Sequence, residues 1–181
     1  MSVSLTYFVH SITTDNQRGI ATGWRPGVLS DVGIERAARL GKQLAGRHFD
    51  AIFCSDLQRA IDSARLFFGK DQPLIQDDRL RECDYGSLTN QPAAQFKTRM
   101  KDFVDAPFPE GESYMDVQKR MASFLQLLSQ NYPGKHVAVV GHQATQLALE
   151  VLLRGRTWQQ AIDEDWRATQ AWQPGWQYSV P

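Results

Sequence analysis

An α/β fold, a mostly parallel sheet with helices on both faces, is the architecture this sequence predicts, and three observations carry it. Short β-branched and aromatic runs alternate along the chain with stretches whose apolar residues recur at helical spacing. The run His136 to Val140 (HVAVV) is almost wholly apolar, as in a strand buried on both faces. No Pro-, Gly- or Ser-rich linker breaks the pattern, so residues 1–181 are expected to form one domain.

Leu5 to Val9 (LTYFV) reads as the first strand, followed by a polar, glycine-bearing loop from His10 to Leu29. Ser30 is a candidate N-cap, and Gly33, Ala37, Leu40 and Leu44 then line one helix face. Phe49 to Cys54 is a second short strand. Ser55 and Gln58 lie three apart, a capping-box pattern that opens the next helix. Leu74 to Gln76 is a weaker third strand, and the polar stretch Asp77 to Asn90 reads as loop. A helix is expected over Gln91 to Val104, ended by the breaker cluster Pro107-Phe108-Pro109-Glu110-Gly111. Ser113 opens the clearest helix, with Val117, Met121, Phe124 and Leu128 on one face and Pro133-Gly134 at its end. After the apolar strand, Ala144, Leu147 and Val151 mark another helix. Ala168 to Trp172 and Trp176 to Val180 are candidate strands around a Pro174-Gly175 turn.

Composition excludes several function classes. Apolar residues are 42% and charged residues 22%, which is globular rather than disordered. Lys+Arg and Asp+Glu are both 20, so no net charge points to nucleic acid or to an anionic membrane as partner. No run is long enough to span a bilayer, and the N-terminus lacks the pattern of a signal peptide. Cys54 and Cys83 form neither a disulfide framework nor a zinc motif, and a cytoplasmic setting is expected.

Three positions share a location. His10 ends the first strand, Ser55 to Arg59 follows the second, and Gly141-His142 ends the apolar strand. Ligands of open α/β sheets bind outside the carboxyl ends of the strands, so two imidazoles and a guanidinium converge there if these strands are neighbours. The two histidines lack a third ligand at metal spacing, since His48 and His136 fall elsewhere, and a fixed Arg59 charge opposes a cation. Arg59 suits an anion: its planar fork matches phosphate oxygens, and a helix N-terminus adds to the attraction. A neutral imidazole beside such a site is a nucleophile able to accept a phosphoryl group.

Read in order, these motifs resemble the histidine phosphatase superfamily, the phosphoglycerate mutase-like proteins. The resemblance rests on Phe8-Val9-His10-Ser11-Ile12-Thr13-Thr14-Asp15-Asn16, on Thr22-Gly23-Trp24, on Leu29-Ser30 with Gly33, and on Ser55-Asp56-Leu57-Gln58-Arg59-Ala60. It continues through Leu80-Arg81-Glu82-Cys83-Asp84-Tyr85-Gly86, Pro109-Glu110-Gly111-Glu112-Ser113 and Val139-Val140-Gly141-His142, and so covers almost the whole chain. It implies a three-layer sandwich and a metal-independent phosphatase that needs no cofactor and acts on a small phosphorylated substrate. It also implies roles. His10 would accept the phosphoryl group, and Arg59 and His142 would hold its oxygens. Asn16 with the backbone at Thr22 and Gly23 would shape the phosphate pocket. Glu82 would be the general acid and then the base for water. The chain is short after the acid-bearing loop, where mutases carry an extra segment, and this points to the small phosphatases of the family.

The chain also departs from the pattern. Val9 stands where the family's first signature has Arg, and Ser11 where Gly is usual. Losing a charged donor to phosphate should cost about 1.5–3 kcal/mol unless another group replaces it. Arg18 and Arg25 in the same loop are candidate replacements, and Ser11 is a candidate hydroxyl donor. Two functional readings follow: a phosphatase, or a degenerate member that binds a phosphorylated ligand without turnover. Val9 favours the second. His10, Arg59, Glu82 and His142 together favour the first, since a binder has no need of the acid. Trp158, Trp166, Trp172 and Trp176 are expected to pack the last strands rather than to line the site, and Thr89 to Pro109 is expected to carry substrate selectivity.

Overall fold

The computed structural model describes residues 1–169 and 173–181. Its centre is a five-stranded sheet: β1 (Val3–Val9), β2 (Ala51–Cys54), β3 (Ile75–Gln76), β4 (His136–Gly141) and β5 (Trp176–Val180), in the order β3-β2-β4-β1-β5. The first four strands in that order run parallel, and β5 is antiparallel to β1. Successive residues of a strand face opposite sides, and here both sides are buried. Phe8, Ile52, Cys54, Ala138 and Val140 pack on Ala37, Leu40 and Leu44 of α2 (Asp31–Leu44) and on Ala60, Ala64 and Phe67 of α3 (Gln58–Phe68). Leu5, Tyr7, Phe53, Val137 and Val139 join a second core with Phe124 and Leu128 of α5 (Tyr114–Asn131) and Leu147 of α6 (Gln143–Arg154). The result is the expected three-layer sandwich.

The helix starts follow local chemistry. Ser30 Oγ accepts the Gly33 N–H, and Ser113 forms a capping box with Asp116. Four expectations are corrected. The loop after β1 contains a short helix, α1 (Thr14–Arg18), set by a capping box between Thr13 and Asn16. Ser55 does not cap α3: its Oγ accepts the Leu57 N–H and Asp56 pairs with Arg81, so the turn is used up before the helix begins at Gln58. The helix expected over Gln91 to Val104 is broken into α4 (Ala94–Lys97) and a 3₁₀ turn at Met100–Phe103. There, packing of Phe96 and Phe103 around Phe108 overrides the periodicity. Ala168 and Thr169 lie in α8 (Trp166–Thr169), after α7 (Trp158–Asp163), and not in a strand. The Asp165 carboxylate accepts the Arg167 N–H and starts that turn. The rest of that expected strand, with Trp172, lies outside the described residues. Among the described residues no helix is long and apolar enough to cross a membrane.

Candidate active site

The pairing of β1 with β4 sets Val9 opposite Gly141, so the residues that follow, His10 and His142, emerge side by side. Their ring centroids are 5.0 Å apart. The His10 N–H closes the ladder on the Gly141 carbonyl at 3.0 Å. Gly141 is required there: a Cβ would lie 2.0 Å from Tyr7 Oη. That hydroxyl accepts the His142 N–H at 2.8 Å and donates to the His142 carbonyl at 3.1 Å, which fixes the backbone beneath the second imidazole.

Arg59 lies in the first turn of α3, buried and reaching toward β1. Its Nη1 donates to the carbonyls of Arg25 (2.6 Å) and Pro26 (3.3 Å), and its Nη2 to that of Gly23 (2.8 Å). Its Nε donates to His10 Nε2 at 3.3 Å. His10 Nδ1 lies 2.7 Å from the Ser11 carbonyl. A carbonyl only accepts, so Nδ1 carries the proton, and Nε2 is left with its lone pair facing the guanidinium. Burial and the Arg59 charge hold the His10 pKa well below its ordinary 6.5. The same two causes, then the His10 ring, lower that of His142. Both imidazoles are therefore neutral near neutral pH. Both ring nitrogens of His142 are buried and without a hydrogen-bond partner among the described residues.

Glu82 follows the 3₁₀ turn Asp78–Leu80 and is 6% exposed. Its Oε1 accepts the N–H of Cys83 (2.9 Å) and of Ala144 (3.1 Å), the latter in the first turn of α6. Oε1 is thus held at a helix N-terminus. The Glu82 carbonyl is braced by Trp24 Nε1 (2.7 Å) and by Arg120 Nη2 (3.0 Å).

His10, Asn16, Thr22, Gly23, Arg59 and Glu82 line one cavity of about 490 Å³; His142 is fully buried behind it, its ring tilted 57° to that of His10. Asn16 Oδ1 is committed to the Thr13 N–H, and Thr22 Oγ1 donates to Asp15 at 3.1 Å. Ala93, Phe96, Lys97 and Met100 form one wall, so the segment expected to carry selectivity does border the cavity. Val9 lines it as well. The suggested helpers are placed otherwise. Ser11 Oγ donates to the Gly33 carbonyl at 2.7 Å, Arg25 pairs with Asn90, and Arg18 is exposed at the end of α1. Trp158 stacks on Tyr114 and Trp176 is buried in β5, as expected of packing residues. Trp166 contacts Trp176 yet also reaches the cavity. Gln143 and Arg167 line it too. Arg167 is 25 positions beyond His142 and carries no motif, so only the folded chain brings it there.

Residues 8–170 match the model of the histidine phosphatase superfamily (branch 1). The chain is 34% identical over 164 residues to a 2,3-bisphosphoglycerate-dependent phosphoglycerate mutase of Methylobacterium sp. (strain 4-46), which covers 82% of this chain and 79% of that protein. It is 30% identical over 143 residues to the adenosylcobalamin/alpha-ribazole phosphatase of Escherichia coli (strain K12), with 74% and 70% covered. Among solved structures, YhfR of Bacillus stearothermophilus gives a TM-score of 0.77 at 27% identity, covering 88% of this chain and 83% of that one. A mycobacterial glucosyl-3-phosphoglycerate phosphatase, in complex with VO3, gives 0.76 at 26% identity, with 88% and 86% covered.

Proposed function

The chain belongs to the histidine phosphatase superfamily (branch 1), and on that premise we propose that it is a phosphomonoester hydrolase working through a phosphohistidine on His10. The observation that carries this reading is the His10 ring itself. Nδ1–H is held by the Ser11 carbonyl, so the reactive lone pair sits on Nε2, where it accepts from Arg59 Nε, in one cavity with Glu82.

In the first step the Nε2 lone pair forms a bond to phosphorus as the ester P–O bond breaks. Glu82 gives a proton to the departing alkoxide, which leaves as the alcohol. In the second step water attacks phosphorus, Glu82 takes its proton, and the P–N bond breaks to release inorganic phosphate. Phosphoryl transfer depends on positioning and on stabilising charge at the equatorial oxygens. Arg59 and His142 take that role, with the Asn16 amide and the backbone at Thr22 and Gly23 shaping the pocket. The wall of Ile20, Ala93, Phe96 and Met100 suits an organic leaving group more than a hydrated one.

The test is a panel of phosphomonoesters with a chelator present. Release of inorganic phosphate that survives the chelator and disappears in His10→Ala is expected. Interconversion of phosphoglycerate isomers without phosphate release would make the chain a mutase. Phosphate-ester binding without turnover would make it a binder. Turnover lost to the chelator would overturn metal independence.

A further inference from the structure

A phosphoryl group in this cavity needs donors, and few remain. Arg59 has Nη1 on two carbonyls, Nη2 on a third and Nε on His10, which leaves it one N–H on Nη2. Val9 contributes no charge. The other cationic side chains that line the cavity are Lys97 and Arg167. Lys97 stands on the apolar wall of α4. Arg167 Nη1 is buried and makes no hydrogen bond among the described residues, and the same holds for the neighbouring Trp166 Nε1. A buried donor left unmatched is costly, and two of them on consecutive residues at one cavity mark a place built to meet acceptors.

The segment is also held in position. Asp165 Oδ1 accepts the Arg167 N–H at 3.0 Å, and its Oδ2 accepts from Gln143, the residue directly after His142. The Arg167 guanidinium carbon lies 4.6 Å over the Trp166 ring, so the fork is supported by a flat surface. The Arg167 charge bears on both imidazoles, where it adds to the lowering of their pKa values.

We propose that Arg167, presented by α8 beside Trp166, binds the oxygens of the substrate phosphate and supplies from the C-terminal segment the charge that Val9 does not supply from β1. This rests on the phosphatase reading above for its substrate, but its own readout is phosphate binding.

The experiment titrates orthophosphate into the wild-type protein, Arg167→Ala, Arg167→Lys, the double variant Val9→Arg/Arg167→Ala, and Arg18→Ala as control. KM and kcat for one phosphomonoester are measured in parallel. Arg167→Ala is expected to weaken orthophosphate binding about 10- to 100-fold, the usual size of a charged hydrogen bond. Arg167→Lys keeps the stem on Trp166 and loses the fork, and is expected to lie between. If Arg167→Ala does not fold, the Lys variant carries the test. The double variant is expected to recover part of the loss, because Val9 lines the same cavity. Recovery by a charge returned from β1 is something a merely structural arginine would not give. Arg18→Ala should stay within about twofold of wild type. Orthophosphate affinity in Arg167→Ala and Arg167→Lys equal to wild type overturns the proposal, even where the wild-type protein turns over. Arg167-dependent binding in a protein that hydrolyses nothing supports it and overturns the phosphatase reading alone.

Discussion

Replacing Glu82 by Gln separates proton transfer from position. Glu82 Oε1 accepts the N–H groups of Cys83 at 2.9 Å and Ala144 at 3.1 Å, and a glutamine carbonyl oxygen accepts the same two. The side chain should therefore keep its place. The two hydrogen bonds pass from a carboxyl oxygen to an amide oxygen, so the change in stability should stay within about 1–2 kcal/mol. What is removed outright is the ability to give and take a proton. General acid catalysis is worth about 10²–10⁴-fold, and that loss should fall on alkyl phosphates, whose alkoxide leaves poorly. A 4-nitrophenyl ester leaves with little help, and its loss should stay within about tenfold. The quantity to compare is kcat/KM, which covers the steps through transfer to His10 and excludes the later water attack. Equal losses on the two substrates would refute the reasoning and make Glu82 a brace for the loop and for α6.

Three further outcomes follow from the same geometry. With the pKa values of His10 and His142 held below 6.5, the native state binds fewer protons than the unfolded chain. Stability should then fall on acidification below that value, by up to about 1.4 kcal/mol per pH unit for each ring, and urea melts of His10→Gln/His142→Gln should show a flatter slope. Because Nε2 of His10 reacts unprotonated, the acid limb of kcat/KM should lie below about pH 6.5, and a limb above it would contradict the neutral-imidazole assignment. Gly141→Ala should cost about 1–3 kcal/mol, since its Cβ would sit 2.0 Å from Tyr7 Oη; Tyr7→Phe should relieve part of this in a double-mutant cycle, and strict additivity would count against the contact.

Much of this was legible in the chain because strand ends and buried strands leave local marks. The apolar HVAVV run and the helical spacing of Gly33, Ala37, Leu40 and Leu44 announce a sheet covered on both faces. His10, Arg59 and His142 converge because β1, β2 and β4 are neighbours. The helix expected over Gln91 to Val104 failed because the aromatic cluster around Phe108 outweighs the local period. The helix start at Ser55 failed because Asp56 found a distant partner in Arg81. Arg18 and Arg25 were near in sequence and proved absent from the cavity lining, whereas Arg167 is far in sequence and lines it. No spacing rule connects Arg167 to His10. Its segment is tied next to His142 by the hydrogen bond from Gln143 to Asp165, which exists only in the folded chain.

The measurement that bears most directly on the account is the phosphoenzyme itself. Glu82→Gln with 4-nitrophenyl phosphate should pass the first step and stall at the second, where the base is missing. A rapid alkaline quench followed by peptide mapping should then find up to one phosphate per chain, stable in alkali, labile in acid and placed on His10. Turnover by the wild-type protein with no phosphate on His10, or undiminished turnover by His10→Ala, would contradict it.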